Sequence, residues 1–157
     1  MKRFLFLVMA FALFSGAGAK EETLKLPKGL FVLGTLEQAK AKAAAENKPL
    51  AFLATFEGTD DRRTIKATEA FLDAIDRRAV VVYLAKDDIR AKNLPEAVSK
   101  GLDELKRQLI VPLVVVTNES ATETYFARTY ANYPSAEEAG KSIKRQMRDL
   151  AAKRKKR

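Results

Sequence analysis

Cysteine, histidine and tryptophan are all absent from this chain of 157 residues. Without cysteine there is no disulfide, no thiolate nucleophile and no thiol-disulfide exchange. Without histidine, the commonest general base near neutral pH and the commonest metal ligand are missing as well. Stability has to come from packing, and at 47% hydrophobic residues the chain is long enough for one domain with a proper core and not comfortably two. No internal repeat is visible.

Long apolar runs are confined to the start. "MKR" precedes "FLFLVMAFALF", and "SGAGAK" then supplies Ala17 and Ala19 as the small residues of an A-x-A cleavage site. A basic beginning, an apolar stretch too short to span a bilayer comfortably and a small-residue exit predict a signal peptide over residues 1–19. The expected mature protein begins near Lys20, is exported to a periplasmic or extracellular space, and has no transmembrane segment. No cysteine follows the apolar stretch, which excludes a lipid-modified N-terminus.

Charge is uneven. Of the formal net +9, Lys2 and Arg3 belong to the signal segment, and the last ten residues hold six basic groups and one Asp. The body between them is close to neutral, so basicity belongs to the C-terminal end, read as a tail over residues 151–157.

After a linker over residues 20–30, Thr35 and Gln38 form a capping-box pattern before a helix whose apolar face is Leu36, Ala39, Ala43 and Ala44. Asn47 and Pro49 end it. "LAFLATF", residues 50–56, is a continuous apolar run of strand length, as for a strand covered on both faces. The period then changes to helical, with Ile65, Thr68, Leu72 and Ile75 on one side. "AVVVYLA", residues 79–85, is a second buried strand, parallel to the first through that helix. A third helix is predicted over 93–109, with Asn93 near its cap and Val98, Leu102, Leu105 and Leu109 as its stripe. "IVPLVVVT", "NESAT" and "ETYFARTY" read as strand, turn and antiparallel return. Ser135 and Glu138 open a last helix with Ala139, Ile143, Met147 and Leu150 inward. This order predicts an α/β three-layer sandwich, a central mixed β-sheet with helices on both faces.

At this point the chain resembles the thioredoxin-like superfamily over residues 31–150, in particular its secreted domains. "AKAKAAAENKPLAFLATF" is similar to the helix, Lys-Pro and core strand that precede the family's active-site turn. "IVPLVVVTNESATETYFARTYANY" is similar to the strand that begins with a cis-proline, its turn and the return strand, and "PSAEEAGKSIKRQM" to the closing helix. The resemblance implies that Pro112 is the cis-proline facing the turn. Where the family carries Trp-Cys-x-x-Cys, this chain reads Glu57-Gly58-Thr59-Asp60-Asp61-Arg62. Thr59 and Arg62 stand at the two cysteine places, so dithiol oxidoreductase activity cannot be carried over.

Thr59, Asp60, Asp61 and Arg62 therefore form a degenerate active-site turn. Its simplest role is structural: Thr59 near the N-cap, with Asp60 and Asp61 in the first turn of the following helix, complementing its unpaired N–H groups and dipole. The catalytic alternative has Thr59 activated by Asp60 or Asp61 opposite Pro112, since a hydroxyl nucleophile needs an adjacent base. Glu57, Asp60 and Asp61 lack the EF-hand spacing, and neither a metal nor a cofactor is expected. Tyr125, Phe126, Tyr130 and Tyr133 are read as strand and core residues or as a peptide- or glycan-binding face. Lys153, Arg154, Lys155, Lys156 and Arg157 suit an anionic surface, each cation contributing about 1 kcal/mol near an anionic membrane. Behind a signal peptide, nucleic acid is not the expected partner. The leading expectation is an exported, non-redox binding or interaction module with a protein or peptide partner; the rivals are the Thr59 enzyme and a protein that acts through its basic tail.

Overall fold

The structure, a computed structural model, describes residues 23–90, 93–105 and 110–155. The signal segment over residues 1–19, Leu109, Lys156 and Arg157 lie outside them. Strands β1 (Phe31–Val32), β2 (Leu50–Ala54), β3 (Val80–Leu84), β4 (Leu113–Thr117) and β5 (Thr124–Thr129) form one sheet in the order β1-β3-β2-β4-β5. β1, β3 and β2 are parallel, while β4 and β5 run antiparallel as a hairpin. The helices are α1 (Leu36–Ala45), α2 (Arg62–Ile75), α3 (Lys86–Arg90), α4 (Glu96–Glu104) and α5 (Ala136–Arg154).

Alternation along the strands builds two cores. Leu50, Phe52 and Ala54 of β2, with Leu113 and Val115 of β4, face α1 and α4 through Ala39, Ala43, Val98 and Leu102. Ala51 and Leu53, with Val114 and Val116, face α2 and α5 through Phe71, Ile75, Ile143 and Met147. All five residues of β2 are buried, which is why its sequence runs apolar without alternating. The result is an α/β three-layer sandwich around a five-stranded mixed sheet. Gly101 lets α4 approach β4 closely: a Cβ there would stand 2.5 Å from a methyl of Val115.

Several expectations are corrected. Thr35 precedes α1 without a side-chain cap bond, because its hydroxyl is spent on the backbone N–H and C=O of Val32. Ala44 is exposed, one position round from the buried Ala39–Ala43 stripe. Residues 86–90 form a helix of their own, opened by the Asp88 carboxylate accepting from the Ala85 N–H at 2.9 Å. The third expected helix is shorter, capped at Pro95 rather than near Asn93. Residues 23–26 are not a free linker either, since Leu24 is buried. Finally, α5 continues to Arg154, so most of the expected tail is the helix's last turn. Ser135, by contrast, caps α5 as its pattern predicts, accepting from the Glu138 N–H at 3.2 Å.

Candidate functional site

The turn after β2 is built by local hydrogen bonding. Gly58 takes φ 80°, a region costly for other residues, and the Thr59 N–H returns to the Phe56 carbonyl at 3.3 Å. Leu24 pairs with this turn twice, its N–H donating to the Thr59 carbonyl at 2.8 Å and its carbonyl accepting from Gly58 at 2.9 Å. The N-terminal segment thus fastens the turn from outside.

The N-cap of α2 is Asp61, not Thr59. Its carboxylate accepts from the backbone N–H of Arg63 at 3.4 Å and of Thr64 at 3.0 Å, and from the Thr64 hydroxyl. The Thr64 hydroxyl, first, and then the backbone N–H groups hold the Asp61 carboxyl below the usual carboxylate range. The first helical turn consequently holds Arg62, Arg63 and Thr64 and no acid. The reason is geometric: a cap needs β-region backbone, and Asp61 sits at φ −65°, ψ 107° while Arg62 is already helical.

Thr59 is half-buried, and its hydroxyl oxygen accepts from the Asp61 N–H at 3.2 Å. Its side chain bonds to neither Asp60 nor the Asp61 carboxylate. Asp60 and Arg62 are exposed and unpaired with any described side chain. No group of three acidic residues is gathered as for a metal among the described residues, so Glu57, Asp60 and Asp61 do not converge.

Pro112 is buried at the entrance to β4, and the Val111–Pro112 bond is cis. Ala54 pairs with Leu113, so continuing the register by one step sets Thr55 across from Pro112 and Phe56 across from Val111. Thr55 is buried and shares a 2.7 Å hydrogen bond with Thr68 of α2, tying the end of β2 to the helix that follows. The rim is apolar and open: Phe56 and Ile110 are 44% and 55% exposed, large for residues of their type. The Lys86 ammonium lies 6.0 Å from the Phe56 ring centre. Tyr83, at the end of β3, reaches the Thr55 carbonyl at 3.4 Å. Burial, reinforced by the charges of Glu57 and Asp88, pushes its phenol above the ordinary tyrosine range. Sequence reasoning passed over Phe56, Tyr83 and Ile110 because in a buried strand run an aromatic or aliphatic residue carries no mark of facing outward.

No family model, curated protein or solved structure matches the chain.

The remaining sequence candidates lie elsewhere. Tyr125, Phe126, Tyr130 and Tyr133 are partly buried and pack on the α2–α5 side, with the Tyr133 hydroxyl 3.2 Å from that of Ser142. Lys153, Arg154 and Lys155 are far along α5 from the turn, and Arg154 is not a free surface charge. Its guanidinium holds Glu119 at 3.1 Å and Asn47 at 2.8 Å, fastening the end of α5 to the β4–β5 turn and to the end of α1.

Proposed function

We propose that this chain is an exported, non-redox, thioredoxin-like domain that binds an extended peptide or protein segment over the turn at the end of β2, beside Pro112. Three parallel strands followed by an antiparallel hairpin, with two long helices on one face and shorter ones on the other, support the thioredoxin-like reading. Export rests on the N-terminal sequence pattern.

The observation that carries the functional reading is the occupation of Asp61. A catalytic Thr59 needs a base, and the carboxylate best placed to serve is committed to three donors of the α2 N-terminus. The helix end that stabilises a thiolate in a redox protein is here filled by the chain's own carboxylate. What remains for a partner is the exposed apolar rim of Phe56 and Ile110. Exposed apolar side chains beside the end of a strand ladder suit an extended segment whose alternate side chains find apolar contact.

A displayed library of random peptides, selected on the mature protein, tests this. Enriched sequences carrying apolar or aromatic residues should bind the wild type and lose about tenfold in affinity to a Phe56→Ser, Ile110→Ser variant with an unchanged melting curve. Selection without enrichment, or binders indifferent to both changes, would refute the reading.

A further inference from the structure

At the other end of the sheet, the residues that follow α1 and α2, the last turns of α5 and the segment leading into β2 line a hollow of about 280 Å³. Its walls carry Lys48, Arg77, Arg78, Arg154 and Lys155 and no carboxylate. Three of these cations have acidic partners outside the hollow: Lys48 with Glu46 at 2.7 Å, Arg77 with Asp76 at 3.5 Å, and Arg154 with Glu119 at 3.1 Å. Arg78 and Lys155 form no ion pair among the described residues, so five cations set against three carboxylates leave two positive charges.

Cations at helix C-termini offset the dipole there, which accounts for basic residues near three converging helix ends. It does not account for Arg77. This residue follows α2 with φ 59°, in the left-handed region that helix ends usually give to glycine, and its side chain is 91% exposed. Asn47 and Ala121 share this backbone region, and among the three Arg77 alone sets a charged side chain there. Arg154 adds a second oddity: its Nη1 is buried with no hydrogen-bond partner, while Nη2 makes both of its contacts.

We propose that this hollow binds a phosphate group. A phosphate or phosphomonoester is close to a dianion at neutral pH, matching the two uncompensated charges, and arginine presents forked donors suited to its oxygens. Pro49, Met147 and Leu150 supply an apolar floor that strengthens such contacts. The site is independent of the peptide rim, at the opposite end of β2.

The test is an amide-resolved NMR titration of the mature protein with inorganic phosphate, against chloride at matched ionic strength. Saturable shifts confined to residues 47–49, 76–79 and 150–155 are expected, with a midpoint on the order of millimolar. Arg77→Gly should weaken phosphate about tenfold while raising the melting temperature by about 3 °C, because glycine relieves the backbone as the charge is lost. An arginine kept only for the turn would leave phosphate binding unchanged. Arg78→Gln should weaken phosphate without raising the melting temperature. Shifts that grow linearly and scatter over every surface cation, or wild-type titration by both variants, overturn the proposal. A parallel arm uses phosphatidylcholine vesicles with and without phosphatidic acid. Retention lost in Arg77→Gly makes a lipid headgroup the source of the phosphate, and no retention beside saturable phosphate binding makes it a soluble one.

Discussion

At one end of β2, the turn over residues 55–61 is tied to itself, to Leu24 and to the start of α2; at the other, a hollow is lined by five cations, Lys48 among them, with no carboxylate in the same wall. The charges at the first end look more reactive in the sequence, where two acids and two arginines run together in "TDDRR". In space they are the quieter set, because a helix begins there and Asp61 answers its unpaired N–H groups. The basic end looks like a solvated tail in the sequence. In space α5 carries Arg154 back onto the body and beside the ends of α1 and α2. Charge acquires its meaning from the backbone group or ion it faces, and sequence order does not supply that.

Substitutions at the two ends should behave differently, and the largest expected effect is at Leu24. Leu24→Ala removes a buried side chain that fastens the turn, and should cost about 2 kcal/mol in denaturant unfolding. A cost within experimental error would mean that residues 23–26 are the free linker their composition suggests. Next is the buried hydroxyl pair. Thr68→Val strands the Thr55 hydroxyl and should cost about 1–2 kcal/mol, whereas Thr55→Val with Thr68→Val together should cost less than the single change. A double variant showing the full sum of the single costs would deny the pair.

Asp61→Ala should lower the melting temperature by several degrees, and Asp60→Ala should hardly change it. The cap also predicts a pH dependence. Because the folded Asp61 carboxyl is held below its unfolded range, its contribution is fully present above the unfolded aspartate pKa of about 3.9 and is lost as pH falls through the lower folded value. The gap between wild type and Asp61→Asn should therefore narrow as pH falls below about 4. Thr59→Ala, the smallest change, should move stability by less than about 0.5 kcal/mol. A marked loss there would return Thr59 to consideration as more than a turn residue.

The sheet, its mixed direction and the two helical faces were legible because buried runs such as "LAFLA" and "LVVVT" and the amphipathic stripes of α2 and α5 report burial directly. Helix starts were less so. "GTDD" offers three capping residues in succession, and only backbone dihedrals choose Asp61. Thr35 has the right spacing but turns back to Val32. The short helix after β3 has no apolar period to betray it. At the candidate site, Thr59, Asp61 and Pro112 could be located by order along the chain, but the exposed rim could not. Phe56 ends an apolar run and Ile110 begins one, and their exposure depends on where the ladder stops.

The most direct test of the central claim, that the turn at the end of β2 is a capped, unreactive platform whose rim binds a partner, is amide-resolved mapping of a selected peptide on the mature protein. The account predicts shifts concentrated at residues 55–61 and 110–113 and at Tyr83, all removed by the Phe56→Ser, Ile110→Ser variant. Shifts concentrated at residues 47–49 and 76–79, with the turn unmoved, would contradict it.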